Sequence, residues 1–188
     1  ALAKQLGNVS IGSHSIVFTP RPALKLTELS VGRSLRVREV VAQPAWSTLF
    51  GRSASIELLA LREATLGATD VVALLQSGAL PLAPKELRTD RMTLVASRLD
   101  LDGMAAVPLS GDLSYAPNGK LERATLSLDD GRVLATVVAS TVELSARNWS
   151  TPTEPSVTFE RLDASGNLEG SRLVLDRVEA ILHDGLVK

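Results

Sequence analysis

Apolar and polar residues alternate along most of this chain, which is the pattern of β-strands with one face buried and the other in water. In the second half, four Asn-Gly or Asp-Gly dipeptides interrupt the alternation, at residues 102–103, 118–119, 130–131 and 184–185. Such dipeptides accept the positive φ angles of tight two-residue turns between antiparallel strands. The pattern predicts a β-meander, with strands at residues 91–101, 105–115, 120–128, 132–147, 157–162 and 167–182.

The first half has the same strand pattern with more interruptions. Residues 9–18 predict two short strands or one bent strand, ended by prolines at positions 20 and 22. In the next strand the apolar phase shifts between Leu26 and Leu29, which predicts a β-bulge. Two further strands are predicted, from residue 35 to Pro44 and from residue 55 to residue 66.

Two short helices are predicted among these strands. Residues 44–51 favour one helical turn closed by glycine. Residues 69–77 favour a longer helix in which Thr69 or Asp70 caps the first amides. Val71, Leu74 and Leu75 share one face of it, and a helix this short needs a sheet to rest on.

These elements define the expected fold class. It is mainly β: an antiparallel meander of twisted strands forming a curved sheet or groove, with one or two short helices packed on it. The flanking strands share one pattern, so residues 1–188 are interpreted as a single unit. The chain starts at Ala1 without an initiator methionine and ends just after a turn signal, and we expect a piece excised from a longer, membrane-anchored protein.

Composition excludes several function classes. The 20 basic and 21 acidic residues give a net charge of -1, and aromatic residues make up only 3%. Neither a basic field nor stacking platforms for nucleic acid are therefore expected. Cysteine is absent, which removes disulfides, thiolate metal sites and thiol nucleophiles. The apolar runs are far shorter than the roughly 20 residues of a membrane-spanning helix.

The residues of catalysis and metal binding are sparse. The two histidines, His14 and His183, have no second histidine at ligand spacing. Aspartate pairs at positions 100 and 102, and 129 and 130, lie beside predicted turns, where aspartate bonds to its own backbone. We therefore expect no enzyme, no catalytic residue, no metal site and no cofactor.

The apolar face of the meander remains as the candidate site. In a sandwich this face would be core, whereas in an open curved sheet it would be a trough for acyl chains, since each buried methylene contributes about 0.8 kcal/mol. Both alternatives fit the alternation. The candidate lipid contacts are Leu94, Leu109, Leu113, Leu126, Leu128, Val137 and Leu144.

Several stretches resemble one protein family. They are residues 6–12, 19–32, 40–51, 126–133 and 178–185, of which the third reads VVAQPAWSTLFG and the fourth LSLDDGRV. Together with the strand that starts at Ser55, they are similar to the region after the membrane anchor in AsmA-like proteins of the Gram-negative envelope. The similarity spans most of the chain and rests on patterned strands.

The resemblance implies a periplasmic, β-rich segment tethered to the inner membrane by an N-terminal helix outside this sequence. It also implies a relation to the larger TamB-like and YhdP-like proteins and, more distantly, to the type II secretion protein N. The expected function is non-enzymatic help in lipid handling or outer-membrane assembly, with phospholipid acyl chains and envelope proteins as partners. A chain this short is not expected to bridge two membranes. The alternative is a scaffold of an envelope or secretion complex, with a closed core and sheet edges that bind protein.

Overall fold

The computed structural model describes residues 9–18, 21–31, 35–50, 55–76, 88–101, 104–170, 172–182 and 185–187, with the backbone alone described at 49, 50 and 185–187. Two helices are described, α1 at Trp46–Phe50 and α2 at Ala68–Gln76. The strands are β1 Val9–Ser10, β2 Ser13–Phe18, β3 Pro22–Val31, β4 Leu35–Pro44, β5 Ser55–Gly67, β6 Arg88–Asp100, β7 Val107–Tyr115, β8 Leu121–Leu128, β9 Val133–Val138, β10 Thr141–Ser150, β11 Thr158–Glu169, β12 Arg172–Leu182 and β13 Gly185–Val187.

All of these strands form one open, mostly antiparallel sheet. Its strands lie in sequence order from β3 to β13, with β1 and β2 both paired to β3, so they form one bent edge strand. The mainly β fold predicted from the alternation is confirmed. The predicted two short strands or one bent strand at the start are present as β1 and β2 along one edge. Within the described ranges, no helix has the length and apolar character needed to cross a membrane.

One strand pair departs from the meander. β5 and β6 are parallel, with Ser55 opposite Arg88, and α2 lies in the connection between them. The Asp70 carboxylate accepts a hydrogen bond from the Gly67 N–H at 2.9 Å, which caps the start of α2. Leu74 is buried, and Val71 and Leu75 pack against the core. The predicted helix and its apolar face are therefore confirmed.

The predicted bulge in β3 belongs to a row of kinks that crosses four strands. Glu28, Glu63 and Ala96 have φ angles of 52°, 50° and 49°, in the left-handed region. On β4, the strand between β3 and β5, Arg38 lies opposite Glu63. Its guanidinium donates a hydrogen bond to the Glu63 carboxylate at 2.7 Å. At each kink two apolar or small residues three apart face the core, in the pairs Leu26 and Leu29, Val37 and Val40, Leu61 and Ala64, and Leu94 and Ser97.

A buried serine, Ser97, follows the kink at Ala96 in β6. The Ser97 hydroxyl accepts a hydrogen bond from the Ala64 N–H and donates one to the Val95 carbonyl, both at 3.3 Å. The register between β6 and β7 then shifts by one residue between Leu94 and Ser97. The kink therefore ends at β6, and β7 alternates regularly.

Two strand predictions were wrong. The segment at 132–147 is not one strand but the hairpin of β9 and β10, which turns at Ala139 with φ 54°. Similarly, β11 extends to Glu169, and β12 begins at Arg172 after Gly170 with φ 56°. No Asn-Gly or Asp-Gly dipeptide lies at either turn, so the signal used to divide the meander was missing there.

The described Asn-Gly and Asp-Gly turns are wider than two residues. At Asn118-Gly119 the Gly119 N–H bonds the Ala116 carbonyl and the Ala116 N–H bonds the Lys120 carbonyl, both at 2.8 Å. Residues 129–131 form a 3-10 turn in which Asp130 has φ 53°. The predicted turns at 102–103 and 184–185 and the histidine at position 183 lie outside the described residues, apart from the backbone of Gly185.

Candidate functional site: the apolar face of the sheet

One row of paired residues crosses the sheet from β2 to β12, and we call it the cross-sheet row. Paired residues on neighbouring strands point to the same face, so the members of this row share the face that carries the core. Strand by strand, the row comprises Ile16, Leu24, Ala42, Leu59, Met92, Leu113, Ala124, Val137, Val142, Gly166 and Leu175.

The seven candidate lipid contacts lie on this face, near the middle of the sheet. Leu94, Leu109, Leu113, Leu126 and Val137 are 2 to 5% exposed, and Leu128 and Leu144 are half-buried. All except Leu144 either belong to one core cluster or pack against it, and that cluster runs from Leu29 on β3 to Val142 on β10. In this conformation the side chains at the centre of the face are almost inaccessible to an acyl chain.

Helix α2 covers part of this centre. Leu74 points into the core cluster, and the carbonyl of the same residue accepts a hydrogen bond at 2.9 Å from the buried Tyr115 hydroxyl. Burial raises the pKa of Tyr115 above its ordinary value, because the phenolate would lose its hydration there. The helix is thus attached to the sheet by a polar contact as well as by apolar packing.

No described residue covers the two ends of the face. At the N-terminal edge Ile16, Phe18 and Leu24 are exposed. At the C-terminal edge the exposed residues on the core side are Leu173, Leu175 and Val178, which pair with Leu168, Gly166 and Ala164 of β11. The face is therefore one continuous apolar surface that is closed in the middle and accessible at both edges.

The opposite face of β9 to β12 is mostly polar and forms a shallow groove of about 440 Å³. It also carries four exposed aliphatic side chains, those of Leu134, Val138, Val174 and Ile181. Arg161 bonds Asp163 there, and Arg177 bonds Glu179 at 2.6 Å, which raises the pKa of Arg177 above its ordinary value. Positive and negative charges are paired along this groove, so it does not present one sign of charge to a ligand.

No cluster of metal-ligating side chains occurs in the described part of the chain. Within it, no group of three or more His, Cys, Asp or Glu side chains is placed to hold a metal ion. His14 lies exposed on β2, opposite Leu26, and Asp129 pairs with Arg132 at 3.6 Å beside its turn.

Neither a scan against protein-family models nor a search of curated proteins finds a match for this chain. The resemblance to AsmA-like proteins stays a prediction based on the quoted stretches.

The sequence-based choice of site residues concentrated on the centre of the meander and left out the edges. Leu173 and Leu175 show the same alternation as Leu109 and Leu113, so the pattern does not separate the two groups. Position in the strand series is the usable signal, because Leu109 and Leu113 lie on β7, at the centre of the described series, and Leu173 and Leu175 lie on β12, near its end.

Proposed function

We propose that this protein is a non-enzymatic segment of the cell envelope that handles lipid on the open ends of its apolar sheet face. The observation that carries the proposal is the cross-sheet row, which continues the core surface to the exposed Ile16 at one edge and Leu175 at the other. An acyl chain lying on either end would extend the core and would need no new polar contact.

The C-terminal end is the better of the two for an acyl chain. Leu173, Leu175 and Val178 are aliphatic, and their strand partners Leu168, Gly166 and Ala164 have no polar side-chain atom. Each methylene of a chain removed from water here contributes about 0.8 kcal/mol, so a few covered methylenes give measurable affinity. We therefore move the proposed lipid contact from the seven central candidates to this end.

The resemblance to AsmA-like proteins supplies the context of the proposal. In that context the segment lies in the periplasm, tethered to the inner membrane, and its partners are phospholipid acyl chains and envelope proteins. The size of the face fits a single segment of a lipid path better than a complete path.

Native mass spectrometry of the protein purified from a Gram-negative host tests the proposal, followed by solvent extraction and lipid analysis. We expect phospholipid to copurify and Leu173→Asp to abolish it, because a carboxylate on this surface opposes contact with an acyl chain. Leu134→Asp is the matched control: Leu134 and Leu173 are both 46% exposed, but Leu134 lies on the polar face.

Two results would contradict the lipid proposal. One is an apo protein that takes up no added phospholipid from vesicles. The other is equal loss of lipid in the Leu173→Asp and Leu134→Asp variants, which would mean that the apolar end is not the binding surface.

The buried centre favours a second candidate, a structural scaffold. In this alternative the apolar face serves only as core, and the unpaired strand edges bind protein partners. It predicts an apo protein in the same mass spectra, with no difference in lipid content between either variant and the wild type.

A further inference from the structure

The turn between β7 and β8 contains the chain's single Asn-Gly dipeptide, at Asn118 and Gly119. Asn118 is exposed, and its Oδ1 accepts a hydrogen bond from the Lys120 N–H at 3.0 Å. The Gly119 N–H donates a hydrogen bond to the Ala116 carbonyl at 2.8 Å. The side-chain amide of Asn118 is therefore folded back towards the backbone that follows it.

We propose that Asn118 is a site of spontaneous deamidation in the folded protein, with water as the co-reactant. The Gly119 backbone nitrogen loses its proton to water or hydroxide, and its electron pair forms a bond to the Asn118 Cγ. The bond from Cγ to the side-chain nitrogen then breaks. That nitrogen takes a proton from water and leaves as ammonia, so the backbone is left with a succinimide ring.

Water then opens the ring at either of its two carbonyl carbons. Attack at Cγ breaks the bond from Cγ to the Gly119 nitrogen and leaves an ordinary aspartate. Attack at the backbone carbonyl carbon breaks the bond from that carbon to the same nitrogen, and the chain then continues through Cγ as isoaspartate. By either route one water molecule is consumed and one ammonia is released, and no atom is oxidised or reduced.

The two products change the turn to different extents. Aspartate at this position keeps a side-chain oxygen that accepts the Lys120 N–H, and Asp-Gly is itself a turn-forming dipeptide. Isoaspartate adds a methylene to the backbone before Gly119, which displaces the Gly119 N–H from the Ala116 carbonyl. Deamidation therefore loosens the β7–β8 hairpin in the molecules that carry isoaspartate.

Two features of the turn favour the ring closure. The Lys120 N–H already bonds Oδ1, and negative charge develops on this oxygen when the nitrogen attacks Cγ, so a donor for that charge is in place. Gly119 has no side chain, and a Cβ added there would meet no atom within 4 Å. The space beside the attacking nitrogen is therefore open to water and hydroxide.

One contact opposes the reaction and sets its rate. The Gly119 nitrogen keeps its proton while the N–H is bonded to the Ala116 carbonyl, so this bond must break first. The bond lies between the ends of β7 and β8, and breaking it opens the turn without separating the paired strands. The Arg88 guanidinium restrains the closed turn by donating a hydrogen bond to the Pro117 carbonyl at 2.7 Å. The rate should therefore follow local opening of the turn.

Peptide mapping by mass spectrometry tests the proposal, on folded protein incubated at mildly alkaline pH. We expect aspartate and isoaspartate to accumulate at residue 118 while Asn148 and Asn167 stay intact, because the bulky residues that follow these two obstruct ring closure. Asn118→Gln is the matched control and should stay unmodified, since its longer side chain has to close a larger ring. An Asn118 that stays intact in the folded protein would overturn the proposal.

Two variants separate opening of the turn from unfolding of the whole sheet. Arg88→Ala removes the hydrogen bond to the Pro117 carbonyl and should accelerate deamidation about fivefold, the factor that corresponds to about 1 kcal/mol. Leu61→Ala destabilises the core and should leave the rate unchanged, because the turn opens without the core. Acceleration by Leu61→Ala, or an unchanged rate in Arg88→Ala, would mean that local opening of the turn does not control the reaction, and either result overturns the proposal.

Discussion

Met92 and Leu175 belong to the same cross-sheet row, yet Met92 is 0% exposed and Leu175 is 47% exposed. Both lie on the core side of one sheet. Met92 has paired strands on both sides and lies in the core cluster, whereas Leu175 lies on a strand with a described neighbour on one side only along this stretch. The alternation of apolar residues therefore specifies the face of the sheet, and the place of the strand in the sheet specifies burial.

The two regions also differ in what covers them. Over the central strands, α2 adds Leu74 to the core and accepts the hydrogen bond of Tyr115. The described residues place no such element over Leu173, Leu175 and Val178. The centre of the face is buried core, whereas its C-terminal end is exposed apolar surface.

The largest expected effect tests this division directly. Leu61→Ala, at a residue of β5 that is 0% exposed, should destabilise the protein by about 2–5 kcal/mol, because it removes buried contacts and leaves a cavity. Leu173→Ala at the open end should change stability by less than about 0.5 kcal/mol. Urea unfolding of both variants measures the difference. Equal losses would mean that the C-terminal end is as closed as the centre.

A second substitution acts on the C-terminal strands alone. Gly166 is buried, and a Cβ there would lie 2.0 Å from the Val174 carbonyl oxygen and 2.8 Å from the Leu175 Cα. Both are backbone atoms, so Gly166→Ala forces β12 away from β11 and should cost about 1–3 kcal/mol. Hydrogen exchange should accelerate in β11 and β12 and stay slow in β5 to β8.

Gly170→Ala is the matched control for that substitution. Gly170 has φ 56°, but a Cβ added there would meet no atom within 4 Å, so alanine strains the turn without displacing a strand. We expect its exchange pattern to follow the wild type. If Gly166→Ala also leaves exchange in β12 unchanged, the close approach of the two strands at the bulge is not a feature of the protein in solution.

Much of the fold follows from local residue chemistry. The helix α2 was predictable because Asp70 supplies a cap and the apolar residues repeat at helical spacing. The phase shift between Leu26 and Leu29 predicted the bulge that the structure has at Glu28. The turn at Ala139 was missed because alanine gives no local signal for a left-handed backbone, and the pairing of β9 with β10 imposes it.

The site was less predictable than the fold. Leu113 and Leu175 follow the same alternation and lie on the same face, but the pairing that buries the first and exposes the second depends on the whole sheet. The parallel pairing of β5 with β6 is similar: it follows from the path of the chain through α2, and no dipeptide marks it. Both the burial of these residues and the parallel pairing depend on contacts between segments that are distant in the sequence, which local patterns do not encode.

The smallest of the three expected effects concerns helix α2, which covers part of the centre of the apolar face. The Leu74 carbonyl lies in the last turn of α2, where helix carbonyls lack an intrahelical partner, and the Tyr115 hydroxyl supplies one. Tyr115→Phe leaves this carbonyl without its partner and should cost about 1–2 kcal/mol at neutral pH. Thermal unfolding measures the loss, and no loss would mean that water replaces the hydroxyl.

The pH dependence of the same variant gives an independent check. Burial raises the pKa of Tyr115 in the folded protein above the ordinary value of 10.0, which applies when the chain is unfolded. Above pH 10 the unfolded state therefore releases a proton that the folded state retains, so this tyrosine's contribution to stability is lost as pH rises. It is the chain's single tyrosine, and Tyr115→Phe should have a shallower decline in stability above pH 10 than the wild type. Identical declines would place the hydroxyl in water and leave the helix attached to the sheet by apolar packing alone.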